Sequence, residues 1–408
     1  MKKVFVIGMG LSARDLTSAY LEIIHSADLL IGGRRHLEHF EELEVEKRVV
    51  SGRVNEIIEA IRTAMEHRQV VVLASGDPLL FGIGARIVEG IGKERVTVLP
   101  NISSIAAAFA RIKEPWDKAR LVSLHGRDRR FALLSALKTD APVAVPTDPK
   151  QTPAWLAGWL LERGVDHMQM VVFERLGDKR EAVAWYTLEA ASRKNFAQPN
   201  LAILLPVKES GCDPPFFSIG MPEGAYRHER GLITKSEMRA VTLAKLKLGP
   251  GMTLWDLGAG SGAVGIEASL LLGDGRIVAV EKKSERVAQI RANALGFGVY
   301  NHEVVQAELP DGLAGLPQPD RIFVGGGGRD LAAIVRAGAQ YLKPGGTLVV
   351  NTVLIENLSR IVAVIEETGL ASEVVQMQIS RGSPMPWSTR LEAQNPVWII
   401  QGCAKERV

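Results

Sequence analysis

A glycine-rich run in the second half of the chain has the composition of a ligand-binding turn. Residues 254–262 read LWDLGAGSG, and a helical pattern follows over Ala263–Leu272. Glycine lets a ligand approach the backbone closely, and the free N–H groups at the start of a helix favour polar or anionic groups. The next strand-like run, IVAVE, ends in Glu281, whose carboxylate can accept hydrogen bonds from both hydroxyls of a ribose. A dinucleotide site and a plain strand–helix turn are the alternative interpretations, because residues 260–265 also fit a dinucleotide fingerprint.

The first half of the chain carries three turns of a similar kind. Gly8 and Gly10 follow the run VFVI, residues 75–78 (SGDP) follow VVVLA, and Ser103 and Ser104 come shortly after VTVL. Open parallel sheets bind their ligands at the carboxyl ends of the strands, so the three turns predict a second ligand site. Two plainer interpretations stay open. An Asp-Pro pair favours turns in general, and a serine before a helical pattern suits a helix N-cap.

The elements that must position these turns alternate along the first half. Helices are predicted over residues 15–26, 54–67, 83–91, 103–111 and 155–161. Strands are predicted over residues 4–7, 29–31, 70–74, 96–99, 121–123, 143–145, 170–173 and 201–205. This alternation predicts an α/β domain with a largely parallel sheet.

The pattern breaks at residues 208–218, where KESGCDPPFFS is rich in turn-forming residues. We therefore predict one domain over residues 1–207, a linker over 208–219 and a second α/β domain over 220–408. The second series begins with a helix over 236–247. Its strands are predicted over residues 253–257, 277–280, 304–306, 321–324, 347–352 and 397–401.

Composition narrows the functional classes. A length of 408 residues favours two domains, and a net charge of +3 with scattered basic residues argues against a nucleic-acid partner. Cys212 and Cys403 are the only cysteines and lie far apart, which suggests neither a disulfide framework nor a metal site. The first apolar run stops at Gly8, and no run approaches the roughly 18 apolar residues of a membrane helix. We expect no membrane partner and a cytoplasmic location.

The second half resembles the class I S-adenosylmethionine methyltransferases. The resemblance rests on DLGAGSG with Glu281, and on YLKPGGTLVVN over residues 341–351. Residues 230–237 (RGLITKSE) resemble a segment of the decarboxylating corrin methyltransferase family, and the match extends to four glycines at 325–328. Those glycines would open floor space for a flat ligand, or form a loop without a substrate role. The resemblance implies a methyl-donor site lined by Thr234, Gly258, Ala259, Gly260, Ser261, Gly262, Glu281 and Ala307. Thr234 also suits the N-cap of the following helix.

Residues 1–206 resemble the tetrapyrrole methylase family, whose two-lobed fold holds S-adenosylmethionine between its lobes. The three turns described above carry this resemblance. One departure is that the family often has Gly-x-Gly-Pro-Gly at the first turn, whereas Leu11 and Ser12 follow Gly10 here. The resemblance implies that the residues contacting the donor are Gly8, Gly10, Gly76, Asp77, Ser103 and Ser104.

The fusion of these two halves resembles the bifunctional, decarboxylating methyltransferases of corrin synthesis along essentially the whole chain. It implies S-adenosylmethionine as cofactor and a small tetrapyrrole, precorrin-6Y, as substrate. The first half would methylate carbon 5, and the second would methylate carbon 15 and decarboxylate an acetate, giving precorrin-8 in cobalamin biosynthesis. We also expect a homo-oligomer. Candidate proton donors or carboxylate clamps are Glu237, Arg239, His228 and Arg381. The basic residues of 124–130 (LHGRDRR) are either substrate contacts or solvated residues at a helix start.

Three other functions remain open from sequence. A nucleic-acid methyltransferase with an appended domain is the first, although the Asn/Asp-Pro-Pro-aromatic run of base-nitrogen methyltransferases is absent after the fourth strand. An NAD-dependent oxidoreductase using one of the glycine-rich turns is the second. A binding protein that retains inactive cofactor folds is the third.

Overall fold

The computed structural model describes residues 3–50, 53–124, 129–207, 216–229 and 231–404. The chain divides into two compact units: the first spans residues 1–128, 141–162 and 166–207, and the second spans 129–140, 163–165 and 208–408. Within the described ranges, no helix combines the length and apolarity needed to cross a bilayer. The proposed linker over 208–219 lies largely outside the described residues, so the boundary stays a prediction.

The elements up to residue 207 include a helix or strand at every predicted position. Three further helices (34–38, 130–136 and 188–192) and two further strands (46–49 and 182–187) were not predicted. In chain order they are β1 (Val4–Gly8), α1 (Ser18–His25), β2 (Leu29–Gly32), α2 (Arg34–Glu38), β3 (Glu46–Val49), α3 (Val54–Ala64), β4 (Val70–Ala74), α4 (Gly84–Ile91), β5 (Val96–Leu99), α5 (Ser104–Ile112), β6 (Arg120–Leu121), α6 (Arg130–Ala136), β7 (Val143–Pro146), α7 (Pro153–Leu161), β8 (Met168–Glu174), β9 (Ala182–Thr187), α8 (Leu188–Ser192) and β10 (Asn200–Pro206). The helix α6 belongs to the second unit.

The first sheet is parallel throughout, in the order β3-β2-β4-β1-β5. Every residue of β4 is buried, because this strand lies at the centre of the sheet and both of its faces are covered. The helix α3 buries Ile57, Ile58 and Ile61 against that sheet, which is the spacing of one helical face. The sheet therefore brings the carboxyl ends of β1, β4 and β5 to one edge.

The second sheet of the first unit has the order β6-β7-β10-β8-β9. Only β6 and β7 pair in parallel, and the other neighbours are antiparallel. The expectation of a largely parallel sheet is therefore right for the first sheet and wrong for this one. The central residues of β8 and β10 are buried and apolar. Such a run is the same whether the neighbouring strands are parallel or antiparallel, so it does not reveal the strand direction.

The second half is a second α/β series. It contains α9 (Ser236–Leu246), β11 (Thr253–Leu257), α10 (Ala263–Leu272), β12 (Arg276–Glu281), α11 (Ser284–Gly296), β13 (His302–Gln306), β14 (Arg321–Val324), α12 (Leu331–Tyr341), β15 (Thr347–Thr352), α13 (Ile355–Glu367), β16 (Leu370–Met377), β17 (Ser380–Met385), β18 (Ser388–Ala393) and β19 (Val397–Ala404). Its seven-stranded sheet has the order β13-β12-β11-β14-β15-β19-β16, in which only β19 runs antiparallel to its neighbours. The strands β17 and β18 form a separate hairpin.

Candidate active sites

The turns after β1 and β4 touch each other at the edge of the first sheet. The Gly76 N–H donates to the Gly10 carbonyl at 3.1 Å, and both residues have positive φ, 64° at Gly10 and 56° at Gly76. A Cβ atom at Gly8 would lie 2.4 Å from the Gly76 carbonyl oxygen. Because side chains rarely tolerate these backbone angles or that approach, glycine is required at all three positions for the pair of turns to form.

Two of the predicted polar residues also hold local structure. Asp77 Oδ1 accepts a hydrogen bond from the Leu79 N–H at 2.8 Å, as in an ordinary aspartate turn. Ser103 is the N-cap of α5, and its Oγ accepts from the Ala106 N–H at 3.1 Å. Both plainer interpretations of these side chains are therefore correct, and they do not conflict with a position in a ligand site.

A cavity of about 590 Å³ opens beside these turns within the first unit. Its wall is mostly apolar with a few polar groups, which is typical of sites for small organic molecules. Gly8 is outside the lining, because it packs beneath the turn. The other residues predicted for the first donor site all line the cavity: Gly10, Gly76, Asp77, Ser103 and Ser104.

The glycine-rich turn of the second half has a left-handed backbone at alternate positions. The φ angles are 68° at Gly258, 59° at Gly260 and 76° at Gly262, which is the N-cap of α10. A Cβ at Gly258 would lie 3.2 Å from backbone atoms of Gly326, so the turn after β14 approaches it closely. At Gly260 no atom lies within 4 Å of that position, which leaves open space above the turn for a ligand.

Glu281 ends β12 beside this turn and is only 5% exposed. Its Oε2 accepts from the Gly260 N–H at 3.0 Å, and its Oε1 accepts from the N–H groups of Lys282 and Lys283, both at 3.1 Å. Three backbone N–H groups and the Glu281 carboxylate are thus held together around one point. A carboxylate has about four acceptor positions, so Oε2 can accept one further hydrogen bond, which suits the ribose contact predicted from sequence, while Oε1 already accepts two.

The remaining residues predicted for this site lie around the same turn. The Ala307 N–H donates to the Glu281 carbonyl at 3.2 Å, and the Ala259 N–H donates to Val280 at 3.2 Å. Ser261 is buried, and its carbonyl accepts from Asn293 Nδ2 at 2.9 Å. These contacts bring Ala259, Ser261, Ala307 and Glu281 together around the turn.

Thr234 precedes α9, but it does not cap that helix. The N-cap is Lys235, with no side-chain capping bond, so the N-cap interpretation of Thr234 is wrong. Its carbonyl instead accepts a hydrogen bond from the Arg239 guanidinium. A donor contact by Thr234 stays a prediction.

Arg239 is completely buried, although it was a candidate carboxylate clamp. Its Nε donates to Glu267 Oε1 at 2.9 Å, and its terminal nitrogens donate to the carbonyls of Thr234 and Met221. The Tyr226 hydroxyl donates to the same carboxylate at 2.9 Å. A buried charge needs such partners, so this network favours a structural role that holds residues 220–234 onto α9 and α10.

Arg381, on β17, binds two carboxylates of the same half. Its guanidinium donates to both oxygens of Glu223, at 2.9 and 3.0 Å, and its Nε donates to Glu237 Oε1 at 2.9 Å. The hydrogen bond from Arg381 is the main cause that lowers the pKa of Glu223 and that of Glu237, each to about 2. Glu237 is therefore ionised at neutral pH, which disfavours it as a proton donor while this cluster is intact.

His228 is half-buried, and its Nδ1 is buried without a hydrogen-bond partner among the described residues. The backbone just before it is fixed by Asn293, which accepts from the Arg227 N–H at 2.8 Å and donates to the Arg227 carbonyl at 2.9 Å. Of the four candidates for the decarboxylation, His228 is the one whose polar atom is not committed to another described group.

One buried pair was missed from sequence. Asp256 on β11 and His302 on β13, with β12 between these strands, both lie close to Gly265 in α10: a Cβ there would lie 2.8 Å from His302 Nε2 and 2.9 Å from Asp256 Oδ2. The Gly265 N–H donates to Asp256 Oδ2 at 3.0 Å. Burial raises the pKa of Asp256 to about 7 and lowers the pKa of His302 to about 4. The 46-residue separation in sequence gave no sign that both side chains lie close to the same glycine.

Two further expectations concern the basic residues at 124–130 and metal binding. Residues 125–128 of the basic run at 124–130 lie outside the described residues, while Arg129 and Arg130 occupy the N-cap and first position of α6, as expected for a helix start. Among the described residues, no three His, Cys, Asp or Glu side chains cluster as metal ligands would.

Comparison with known proteins covers both halves. The chain matches the family described as tetrapyrrole (corrin/porphyrin) methylases over residues 3–192, and the precorrin methyltransferase domain over residues 224–402. It is 34% identical over 397 residues to the precorrin-6Y C(5,15)-methyltransferase [decarboxylating] of a Sinorhizobium species, an alignment that covers 96% of this chain and 92% of that protein.

Two shorter proteins are similar to about half of the chain. The probable cobalt-precorrin-6B C(15)-methyltransferase (decarboxylating) of Pyrobaculum calidifontis is 39% identical over 193 residues, which cover 47% of this chain and 98% of that protein. A crystal structure of a precorrin-6Y C5,15-methyltransferase from Geobacter metallireducens is 38% identical, with a TM-score of 0.45, and the match covers 46% of this chain and 99% of that chain.

Proposed function

Because this chain belongs to the family of decarboxylating precorrin-6Y C(5,15)-methyltransferases, we propose that its two halves hold separate donor sites and divide the reaction between them. The activity is the S-adenosylmethionine-dependent methylation of carbons 5 and 15 of precorrin-6Y, with decarboxylation of an acetate side chain, giving precorrin-8 in cobalamin biosynthesis. This family assignment decides against the nucleic-acid methyltransferase, the oxidoreductase and the inactive binding protein.

The proposed division of the reaction between the two halves rests on the presence of a donor-type turn in each half. The first half would hold its donor in the 590 Å³ cavity, against Gly10, Gly76, Asp77 and the serines at the start of α5. The second half would hold its donor over Gly260, with Glu281 on the ribose. Support also comes from the Pyrobaculum relative, which is about half as long and bears the C(15) and decarboxylating functions in its name.

Each site mainly aligns two reactants. Bound S-adenosylmethionine supplies an electrophilic methyl group, so the protein has to place a nucleophilic carbon in line with it and exclude competing water. In the second half, positive-φ glycines leave the space above the turn free of side chains, and Glu281 would hold the ribose end of the donor. For decarboxylation we propose that the conjugated macrocycle accepts the electron pair and that His228 protonates the carbon left behind.

Mass spectrometry of precorrin-6Y incubated with the protein and S-adenosylmethionine tests the function. The expected product has gained two CH2 units and lost one CO2. Residues 220–408 expressed alone, following the proposed boundary, should fold, bind S-adenosylhomocysteine and give a product with one added CH2 and one lost CO2. An insoluble fragment would count against the boundary, and an unchanged substrate with the full chain would count against the function.

A homo-oligomer and a cytoplasmic location are also proposed. Every residue of β18 is exposed, including Leu391 at 75%, and Trp387 in the turn of the hairpin is 83% exposed. Since an isolated two-stranded hairpin is barely stable in water, a second copy that covers it would account for these apolar side chains. Light scattering of the wild type and of Trp387→Glu should show a loss of the oligomer in the variant. The low cysteine content supports a reducing compartment.

A further inference from the structure

A second cavity, of about 430 Å³, adjoins the first within the same unit. The two cavities share part of their lining, including Gly10, Leu11 and Ser75, so a ligand of sufficient size can extend from one into the other. The charges in this second lining are unbalanced, with a single acidic side chain, Asp178, among the residues described. Its basic members are Arg35, His36, His39, Arg175 and Arg180.

The arginines of this cavity keep hydrogen-bond donors available. Arg35 makes no hydrogen bond or ion pair with a described residue. Arg175 donates only its Nε, to the Gln198 carbonyl at 3.3 Å, so its two terminal nitrogens have no partner in the described part of the chain. The Arg180 Nε lies 3.3 Å from Asp178 Oδ1, with a side chain 70% exposed. Three guanidinium groups thus face one cavity with a single carboxylate to balance them.

The loop that carries Arg175 and Arg180 is held in place independently of any ligand. The Arg175 N–H donates to the Pro199 carbonyl at 2.7 Å, and the residue has a φ of 53°, which is uncommon for a side-chain-bearing residue. The Gly177 N–H donates to Glu181 Oε2 at 2.8 Å, and Arg111 Nε holds the other oxygen of Glu181 at 2.6 Å. The arginines are therefore presented by a fixed loop.

We propose that this cavity binds the acetate and propionate carboxylates on the rim of the tetrapyrrole, held by Arg35, Arg175 and Arg180. The inference rests on the proposed function and assigns the substrate position in the first half. Guanidinium forks match carboxylate geometry, and they stay charged at any relevant pH. Through the shared lining, a macrocycle anchored here by its rim reaches the cavity that holds the donor-type turns.

The histidines contribute differently from the arginines. Burial lowers the pKa of His36, and the neighbouring charges of Arg35 and His39 lower it further, while the Leu73 carbonyl opposes them. His36 is therefore neutral at physiological pH, with its Nε2 3.2 Å from the Ser75 hydroxyl. The binding of carboxylates thus depends on the arginines, and we expect it to weaken with ionic strength.

Binding of uroporphyrin to the full-length protein tests the proposal. Each of its pyrroles carries an acetate and a propionate, whereas coproporphyrin has methyl groups in place of the acetates. Arg35→Glu should weaken uroporphyrin binding about tenfold or more, as expected for reversing one charge in a charge-assisted contact. Arg180→Glu should act in the same direction, and the wild type should bind coproporphyrin more weakly than uroporphyrin.

Arg34→Glu is the matched control, because Arg34 is exposed on the same short helix but does not line the cavity. It changes the net charge equally and should alter the affinity by less than about twofold. Asp178→Asn should strengthen uroporphyrin binding, a gain that damage to the fold cannot produce. Equal effects of Arg34→Glu and Arg35→Glu, or no saturable binding by the wild type, would overturn the inference. Calorimetry with S-adenosylhomocysteine separates this inference from the proposed function. A wild type that binds no S-adenosylhomocysteine contradicts the proposed function, whereas normal binding by Arg180→Glu, whose arginine lines only the second cavity, leaves the proposed function intact.

Discussion

The carboxylate of Glu281 and the backbone of Gly260 are hydrogen-bonded directly, with 3.0 Å between Oε2 and the amide nitrogen. The end of β12 therefore fixes the turn after β11, over which the donor of the second half is proposed to bind. In the proposed complex this one side chain would have two tasks, since the same carboxylate would also bind the ribose.

Glu281→Ala should weaken S-adenosylhomocysteine binding in the second half by about 1.5–3 kcal/mol, the scale of hydrogen bonds to a charged group. Titration calorimetry of the full chain should show two donor sites in the wild type, of which only one changes in the variant. Glu285→Ala removes an equal charge from the first turn of α11 and should leave both sites unaltered. Unchanged affinity in Glu281→Ala would contradict the ribose assignment.

Gly260→Val should abolish the second methylation and the decarboxylation together, because the added side chain fills space that is open above the turn. The first half should still add one methyl group, which mass spectrometry of the product would show. Gly345→Val is a matched control: Gly345 also has a positive φ, 75°, and open space around it, but it precedes β15 at the opposite end of the strands. Both variants should lose about 1–2 kcal/mol of stability from backbone strain, whereas only Gly260→Val should lose activity. Retained decarboxylation in Gly260→Val would place that reaction in the other half.

Replacement of Asp77-Pro78 by Ala-Ala should have the reverse effect of Gly260→Val: it should abolish the first methylation and leave the second methylation and the decarboxylation. It removes the Asp77–Leu79 hydrogen bond and the turn that lines the 590 Å³ cavity, so donor binding in the first half should fail. The expected product is decarboxylated and carries one added CH2. Asp28→Ala removes a comparable hydrogen bond, from the Gln69 N–H to Asp28 Oδ2 at 2.6 Å, at the amino ends of β2 and β4 and away from that cavity, and should leave both methylations intact. If the Ala-Ala variant still added two methyl groups, the first donor site would be wrong.

His228→Gln should slow net decarboxylation, because the carbon left by CO2 can recapture it until that carbon is protonated. The first methylation and the S-adenosylhomocysteine affinity of both halves should be unaffected, because the contacts of Glu281 and of the first cavity are untouched. Product mass and calorimetry together distinguish loss of the proton donor from loss of S-adenosylmethionine binding. A variant with normal release of CO2 would exclude His228 from this role.

Asp256 and His302 predict opposite pH dependences of the free energy of unfolding. Burial raises the pKa of Asp256 to about 7, above the value of about 4 in an unfolded chain. The free energy of unfolding is therefore highest, as far as this group is concerned, below about pH 4, and it decreases as the pH rises to 7. Burial lowers the pKa of His302 to about 4, below the unfolded value of about 6.5, so its cost appears as the pH falls from 6.5 to 4. In the wild type the effects of Asp256 and His302 on the free energy of unfolding largely cancel between about pH 4 and pH 7.

Single substitutions should reveal each slope. With Asp256→Asn, stability should fall on acidification from pH 6.5 to 4, whereas with His302→Gln it should fall on going from pH 4 to 7. Each change is on the order of 3 kcal/mol, from pKa shifts of roughly 2–3 units. Urea unfolding at several pH values measures this, and parallel profiles for the two variants would contradict the assignment.

Buried, apolar elements could be read from the sequence, while charged or exposed ones could not. The strand β4 was predicted with its observed bounds because VVVLA is buried on both faces. The strand β3 was missed because its residues, EKRV, lie at the edge of the sheet, where side chains are solvated. The hairpin of β17 and β18 was missed because it has no buried face, and a period-2 pattern needs one.

The candidate sites follow the same distinction. Turns that follow strands could be located, since a parallel sheet collects them at one edge. Partners distant in the chain could not: the network of Arg239 and Glu267, and the cavity that joins Arg35 to Arg175, depend on contacts between segments that no spacing relates. Sequence therefore named Arg239 as a clamp, whereas its burial favours a structural role.

The crossing of the turns after β11 and β14 has a consequence for how substrate selectivity could be engineered or diversified. A side chain at Gly258 would collide with the backbone of Gly326, one at Gly325 would lie 2.8 Å from the Phe323 ring, and Gly327 and Gly328 have positive φ. Gly326 alone among the four glycines of that run combines a φ outside the left-handed region with room for a Cβ, whose nearest contact would be at 3.5 Å. If the glycine run forms the floor of the substrate site, as proposed from sequence, a library of variants at residue 326 is the most direct way to narrow that site and exclude bulkier macrocycles without displacing the turn after β11.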